Sequence, residues 1–258
     1  MLKSCFANNI KVVVTGWKGI KSKLQKPISY NQLSKKITLK TPQRLLVFFD
    51  AYDIMFQQSA DFFLGVYTHT FDTKIVYSAE KNCFPYNEKV CKRYRDDSDM
   101  TRMYPNKRPV KYLNSGVVIG VARDLASWFE SSIAILESPT NTIDDDQELA
   151  AVLYLDQLRD NSTFESQKVV LDLSSALFMS MQESYSELEI STVDGRYLNS
   201  KTGKIPGLLH FNGPGYKEGV PDFEEKMWWF PGFVVSEEAG FETMEPSDGF
   251  IKYRDVCL

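Results

Sequence analysis

The stretch "LLVFFDAYDIMF", residues 45–56, joins an apolar run to two aspartates. The five apolar residues Leu45–Phe49 predict a strand that is covered on both faces, as in parallel sheets. Asp50 and Asp53 follow at its carboxyl end, which is where open α/β sheets bind their ligands. Two carboxylates three residues apart either bind one hard cation, Mg2+ or Mn2+, or cap the following turn. The stretch alone leaves both interpretations open.

The pattern on either side of this stretch predicts an α/β fold with a largely parallel sheet, because strand and helix signals alternate. Residues 80–112 are rich in charge, Pro and Asn and are typical of a long excursion from the core. The predicted strands are residues 11–16, 45–49, 74–77, 117–121, 169–173 and 208–209, and the predicted helices are 30–40, 60–66, 125–136 and 147–158.

The charge balance, the apolar runs and the cysteine spacing argue against several classes of protein. With 30 basic and 34 acidic residues in 258, the net charge of -4 argues against a general nucleic-acid binder. No apolar run approaches the roughly 20 residues that cross a membrane, and residues 1–17 lack the signal-peptide pattern. The spacing of the four cysteines, Cys5, Cys83, Cys91 and Cys257, fits no zinc site and neither demands nor excludes disulfides.

Further ligand candidates lie far downstream, in "GLLHFNGPG", residues 207–215. An imidazole from His210 together with two carboxylates suits Mn2+ better than Ca2+. The alternative is a histidine satisfied at a strand end. Asn212 and Gly213 belong to a tight turn whose backbone amides can approach a phosphate, and Lys217 can reach the same anion.

A run of three aspartates, residues 144–146, precedes Gln147 at the start of a predicted helix. The helix dipole favours acidic residues in the first turn, which accounts for at least one of them. Three exceed what capping needs, because like charges repel. Carboxylates that accept hydrogen bonds from sugar hydroxyls are the functional alternative.

Five motifs occur in order: "VFFDAYDIMF", "KIVYSAEKNCFP", "KYLNSGVVIGVA", "DDDQELAAVLYLD" and "HFNGPG". Together they resemble the glycosyltransferase domain of the multifunctional procollagen lysine hydroxylases, over residues 3–217. The resemblance implies a GT-A-like, Rossmann-type fold with a mainly parallel central sheet. It also implies one domain, residues 1–258, in which residues 218–258 form a C-terminal extension.

The resemblance also implies a set of site residues. Asp50, Asp53 and His210 are expected to bind Mn2+, and Tyr52 is expected to stack on uracil. The other implied residues line the nucleotide, the sugar or the acceptor: Trp17 near the uridine pocket, Asn212, Gly213 and Lys217 at the diphosphate, Asp145 and Asp146 facing sugar and acceptor, and Glu80 and Asn114 on the acceptor and sugar side.

The implied activity is Mn2+-dependent transfer of glucose or galactose from UDP-glucose or UDP-galactose to a hydroxylysine-linked, collagen-like acceptor in the endoplasmic reticulum lumen. The alternative is a catalytically silent domain that serves as a binding or scaffolding module. The chain departs from the family pattern at Phe211, Phe84 and Val117, and Lys217 falls one place late. The family's first strand is also missing, from which we expect a fragment with a truncated sheet.

Overall fold

The computed structural model contains both helices and strands and describes residues 2–15, 22–72, 74–94, 110–158, 168–214, 219–236, 240–244 and 250–252. The helices are α1 (Leu2–Ala7), α2 (Gln25–Thr38), α3 (Ala60–Val66), α4 (Glu88–Cys91), α5 (Ala122–Leu136), α6 (Asp146–Gln157) and α7 (Val220–Glu224). The strands are β1 (Val13–Val14), β2 (Leu45–Phe49), β3 (Ile54–Phe56), β4 (Ile75–Glu80), β5 (Tyr112–Val121), β6 (Val169–Asp172), β7 (Phe178–Ser180), β8 (Leu188–Ile190), β9 (Tyr197–Asn199), β10 (Leu208–His210), β11 (Gly240–Thr243) and β12 (Phe250–Lys252).

The central sheet has the strand order β2-β5-β4-β6. Strand β5 runs antiparallel to both of its neighbours, while β4 and β6 are parallel. The expected α/β class is therefore confirmed. The sheet is mixed: β2, β4 and β6 run in one direction, as a mainly parallel sheet requires, and β5 runs in the opposite direction. Strand β5 pairs directly beside β4, the strand before it, and such a neighbour can return antiparallel without a crossover helix on the sheet.

Strand β2 also differs from its prediction. It lies at the edge of the four-stranded sheet, and only Phe48 among its five residues is buried. Continuous apolar sequence predicted burial on both faces, which is what β4 and β6 show instead. An edge position leaves the flank of β2 partly open, so apolar composition alone did not locate the centre of the sheet.

A second sheet, ordered β3-β10-β7, lies beside the first. Strand β10 is antiparallel to β3 and parallel to β7, and its residue His210 pairs with Ile54. The hydroxyls of Ser78 in β4 and Ser180 in β7 are 2.9 Å apart and join the two sheets. This arrangement brings the end of β10 to the turn between β2 and β3.

Apolar side chains fill both sides of the central sheet. On one side, Tyr30 of α2 stacks on Phe48 with ring centroids 4.2 Å apart, and Phe129 of α5 packs edge-on against both rings. On the other side, Phe56 and Phe63 belong to a second cluster of buried apolar residues. Helices α2 and α5 thus hold one face of the sheet, and the small second sheet covers the other.

The C-terminal residues pack onto the domain. Met227 and Trp229 are buried in a cluster with Met55, Leu209 and Phe211. Strand β11 pairs in parallel with the two-residue strand β1. Of the predicted buried strand at residues 11–16, the described residues 11–15 contain the short strand Val13–Val14, and Val13 is exposed; Gly16 lies outside the described residues. Among the described helices, none has the length and apolar character needed to span a membrane.

Candidate functional site

The turn between β2 and β3 carries the first two site residues. Asp50 follows the last residue of β2, and its backbone amide donates to the carbonyl of Gly116 in β5 at 2.9 Å. Asp53 precedes β3, and its carbonyl accepts from the amide of Phe211 at 2.7 Å. Two separate backbone hydrogen bonds therefore fix this turn, one to each sheet.

His210 completes a cluster with these aspartates. Its Nε2 lies 3.6 Å from Oδ2 of Asp53 and 4.0 Å from Oδ2 of Asp50. Candidate ligand atoms from all three residues lie within 4.8 Å of one another. The His210 side chain is only 3% exposed, and its Nδ1 has no hydrogen-bond partner among the described residues. We call Asp50, Asp53 and His210 the metal cluster.

The donor set of the metal cluster fits a divalent cation. Two carboxylates and an imidazole bring candidate ligand atoms within 4.8 Å of one another, and a positive charge between them would make such convergence favourable. Mixed oxygen and nitrogen ligands suit Mn2+. The residues present therefore fit the metal that the sequence analysis expects.

Gly116 makes room for the imidazole. A Cβ atom at this position would lie 2.1 Å from Cε1 of His210, well inside contact distance. The Gly116 amide also donates to Oδ1 of Asn114 at 3.0 Å. The strand thus passes directly against the ring, and only a glycine allows that approach.

Lys26 is a site residue that the sequence analysis did not single out. It lies in the first turn of α2, and its Nζ is 2.8 Å from both Asp50 Oδ1 and Asp146 Oδ2. Burial opposes its charge, but the nearby charges, with Asp50 the strongest, outweigh burial and raise its pKa. The segment around it is basic throughout, so nothing in the sequence distinguished this lysine from its neighbours.

Asp145 has two roles in the structure. Its Oδ1 accepts from the backbone amides of Gln147 at 2.9 Å and Glu148 at 3.3 Å, which caps α6. Its Oδ2 lies 2.7 Å from Nζ of Lys23. Of the expected pair, Asp146 therefore shares Lys26 with the metal cluster, and Asp145 is the helix cap that the dipole argument allowed for.

Glu80 lies at the end of β4 and is buried. Its Oε1 accepts from Nδ2 of Asn114 at 3.0 Å and from Nε2 of Gln147 at 2.8 Å, and its Oε2 accepts from Nδ2 of Asn212 at 2.9 Å. Burial raises the pKa of Glu80, although the three amide hydrogen bonds oppose that rise. In this arrangement Glu80 and Asn114 hold β4, β5 and α6 together rather than face open space.

Asn212 is also held inward. Its Oδ1 accepts from the amides of Met181 at 2.9 Å and Gln182 at 3.1 Å. Gly213 has φ +92, a conformation that favours glycine, and it lies against the side chain of Gln182. Both polar side-chain atoms of Asn212 therefore have protein partners, and a contact with a diphosphate would use its backbone or the second proton of Nδ2.

Tyr52, between the two aspartates, is 90% exposed, so the face of its ring is open to a ligand. The roles expected for Trp17 and Lys217 fall on residues outside the described ranges. The roles of the individual site residues therefore stay predictions, with the positions above.

A disulfide forms near the site, between Cys83 and Cys91. It closes the segment that contains Phe84, whose carbonyl accepts from Nε2 of Gln147 at 2.8 Å. The sequence left the pairing of the cysteines undecided. The disulfide joins Cys83, the residue before Phe84, to Cys91, the last residue of helix α4.

The fold and the metal cluster define an α/β domain with a candidate metal centre at the end of its strands. The family model of the PLOD GT domain matches residues 4–220. This chain therefore belongs to the PLOD glycosyltransferase-domain family. The match agrees with the resemblance over residues 3–217 and confirms the expected family.

The chain was also compared with solved structures and with curated proteins. A solved structure of the galactosyltransferase LgtC, in complex with donor and acceptor sugar analogs, matches with 12% sequence identity and a TM-score of 0.41. The match covers 82% of this chain and 69% of that one. No curated protein matches the chain.

Proposed function

We propose that this domain is a Mn2+-dependent glycosyltransferase that transfers glucose or galactose from its UDP-sugar to a hydroxylysine-linked, collagen-like acceptor. The observation that carries the proposal is the metal cluster, since two carboxylates and an imidazole converge at strand ends in a glycosyltransferase-family domain. When bound, Mn2+ would hold the diphosphate and supply Lewis-acid stabilisation to the leaving UDP.

The residues around the metal cluster would bind and orient the donor. The exposed ring of Tyr52 is available to stack on the uracil base. Lys26 bridges Asp50 and Asp146, so one ammonium group couples the metal cluster to the carboxylate expected to face the sugar. Holding donor and acceptor in a fixed relation supplies proximity and orientation, which are large contributions to such a reaction.

We also propose that the domain works in the lumen of the endoplasmic reticulum. The Cys83–Cys91 disulfide supports this location, because disulfides form and persist in oxidising compartments and are rare in the cytosol. Localisation of the tagged natural protein by microscopy tests the proposal, and a cytosolic distribution would contradict it.

The enzymatic proposal is tested by UDP binding and turnover, with and without Mn2+. Calorimetry with UDP should show binding that depends on Mn2+, and Asp53→Asn should weaken it by more than the roughly 10–100-fold that changes outside the ligand set cost. Asp61→Asn, an exposed aspartate in the first turn of α3, serves as the matched control and should bind like the parent.

Turnover separates the enzyme from the silent module. Release of UDP from UDP-glucose or UDP-galactose in the presence of a hydroxylysine peptide is the expected result. Mn2+-dependent UDP binding without any release of UDP would favour the scaffolding alternative. Equal UDP binding by Asp53→Asn and the parent would remove that residue from the metal cluster.

A further inference from the structure

A buried ion pair between Lys81 and Glu187 lies beside the site. The two side chains are 3% and 0% exposed. The Nζ of Lys81 pairs with Oε1 of Glu187 and also donates to the backbone carbonyl of Glu183 at 2.9 Å. The other carboxylate oxygen, Oε2 of Glu187, has no hydrogen-bond partner among the described residues. The pair thus removes two charges from water and leaves one of its oxygens unsatisfied.

Stability alone does not account for an ion pair of this kind. The cost of removing two charges from water is about as large as their attraction, so apolar residues of similar volume are often equally stable in the same place. An apolar pair cannot supply the hydrogen bond from the Lys81 ammonium to the Glu183 carbonyl. Glu183 has φ +61, a left-handed conformation that residues other than glycine adopt rarely. The ammonium therefore stabilises a backbone conformation that is otherwise unfavourable.

The segment that ends at Glu183 holds the turn after β10. The side-chain oxygen of Asn212 accepts from the amides of Met181 at 2.9 Å and Gln182 at 3.1 Å. The Gln182 side chain also lies against Gly213. The position of this turn therefore depends on the backbone conformation at Glu183.

These contacts close a ring of hydrogen bonds. Nδ2 of Asn212 donates to Oε2 of Glu80 at 2.9 Å, and Glu80 directly precedes Lys81 in the chain. The ring runs from Lys81 to Glu183, through the amides of residues 181–182 to Asn212, and back through Glu80. One side of the ring is the end of β4, and the other is the turn expected at the diphosphate.

We propose that the Lys81–Glu187 pair positions the turn at Asn212 and Gly213 for the diphosphate of the donor. The inference rests on the proposed function and adds two positioning residues to it. Both side chains are buried, so they act on the ligand only through Glu183 and the amides that hold Asn212.

A double variant of the full chain tests the proposal. Lys81→Met alone leaves the Glu187 carboxylate buried without its partner and should lower the melting temperature. Lys81→Met combined with Glu187→Leu should melt like the parent, because an apolar pair replaces the ion pair. Its affinity for UDP in the presence of Mn2+ should nevertheless be at least about tenfold weaker than that of the parent, the usual loss when a residue that orients the binding groups is changed. Recovery of UDP affinity together with the melting temperature would overturn the inference.

UMP shows whether the loss concerns the diphosphate. It lacks the second phosphate group, so the double variant should bind UMP in the presence of Mn2+ as the parent does. An NMR titration measures this affinity even where it is weak. Equal losses for UDP and UMP would contradict the proposal, because the change would then affect the whole site.

Hydrogen exchange gives a readout that needs no ligand. In the ligand-free parent, the amides of Met181 and Gln182 should be protected because they donate to Asn212. In the double variant they should exchange about tenfold faster, as expected for a hydrogen-bonded segment that opens more readily. Exchange at the rate of the parent would show that the ion pair does not hold this segment.

The pair of Arg93 with Asp156 offers the control, since it lies outside the ring and its atoms are 2.6 Å apart. Arg93→Met combined with Asp156→Leu makes the same kind of replacement. We expect it to change neither the exchange of the two amides nor the affinity for UDP. A loss of UDP affinity in this control equal to that in the double variant would count against the inference.

The two kinds of readout separate this inference from the proposed function. If the parent binds no UDP, the enzymatic proposal fails, and hydrogen exchange still decides whether the ion pair holds the turn. Faster exchange with unchanged UDP affinity would overturn the positioning role and leave the enzymatic proposal intact.

Discussion

The two acidic groups of the site are built in different ways. In the metal cluster, Asp50 and Asp53 direct oxygens toward the nearly buried imidazole of His210. In the second group, which comprises Asp145 and Asp146, each carboxylate already has a lysine at 2.7 or 2.8 Å. The difference is that the second group faces lysines, whereas the first combines a lysine contact, Lys26 at 2.8 Å from Asp50, with the buried imidazole of His210, a donor set that fits the proposed cation.

Among the three changes that test this contrast, Gly116→Ala is expected to have the largest effect, although it leaves all three candidate metal ligands in place. In Gly116→Ala the new Cβ would overlap the His210 ring, so the ring or the strand must move. We expect Mn2+-dependent UDP affinity to fall about 100-fold, as for a displacement of about 1 Å in a site. Calorimetry measures this affinity.

Gly120 offers the matched control in the same strand, since the atoms nearest to a Cβ there belong to the side chains of Leu125 and Ile75, the closest at 3.1 Å. Gly120→Ala is therefore expected to retain UDP affinity, with at most a small loss of stability. If Gly116→Ala binds UDP and Mn2+ as tightly as the parent does, the close packing against His210 does not position a metal ligand.

A second prediction concerns Lys26, which contacts both acidic groups. Without metal, Lys26→Met should lower the free energy of unfolding by roughly 2 kcal/mol. This is less than for a fully buried pair, because the Asp50 side chain is 37% exposed. Mn2+ should stabilise the variant more than it stabilises the parent, since it would neutralise Asp50 in place of the lysine.

Thermal unfolding with and without Mn2+ measures this difference, and Lys26→Arg, which keeps the charge, is the control. Equal stability of Lys26→Met and the parent in the absence of metal would show that Lys26 does not neutralise the two groups. The contrast between the two acidic groups would then not hold, because Asp50 and Asp146 would not need a lysine between them for stability.

We expect the smallest loss of stability from changes at Asp145, whose carboxylate both caps α6 and pairs with Lys23. Asp145→Ala should cost about 1 kcal/mol of unfolding free energy, the usual loss when a helix cap is removed. Asp145→Asn should cost only a few tenths of that, because asparagine can still accept from Gln147 and Glu148.

Urea unfolding of the two variants separates capping from charge. Similar losses in both would mean that the ion pair with Lys23, and not the cap, contributes the stability. In that case the lysines beside the second acidic group would stabilise the fold as well as neutralise the carboxylates. The second group would then differ more clearly from the metal cluster.

The residues of the metal cluster stand out in the sequence because they lie in ordered motifs, at the end of an apolar run and near a glycine-rich turn. The same reasoning missed Lys26, which has no distinguishing pattern among neighbouring lysines. The ligand roles expected for Glu80 and Asn212 stay predictions, and the hydrogen bond between their side chains is a contact that the sequence did not predict. Hydrogen bonds between residues 132 positions apart leave no local signal in a sequence.

The fold likewise has features that local sequence predicts and features that depend on strand pairing. The predicted helix at residues 60–66 has the bounds of α3, because its rhythm and its flanking residues are local. The direction of β5 and the edge position of β2 depend on which strands pair, and apolar composition does not encode pairing partners. A strand rich in apolar residues can occupy either a central or an edge position.

By itself, the sequence determined the family, the α/β class and the residues able to bind a metal, since these depend on local patterns and on motif order. Only the tertiary structure decided that His210 meets Asp50 and Asp53, that Gly116 makes room for its ring, and that lysines neutralise the neighbouring carboxylates. These facts depend on distances between segments that are remote in the chain. Long-range packing sets those distances.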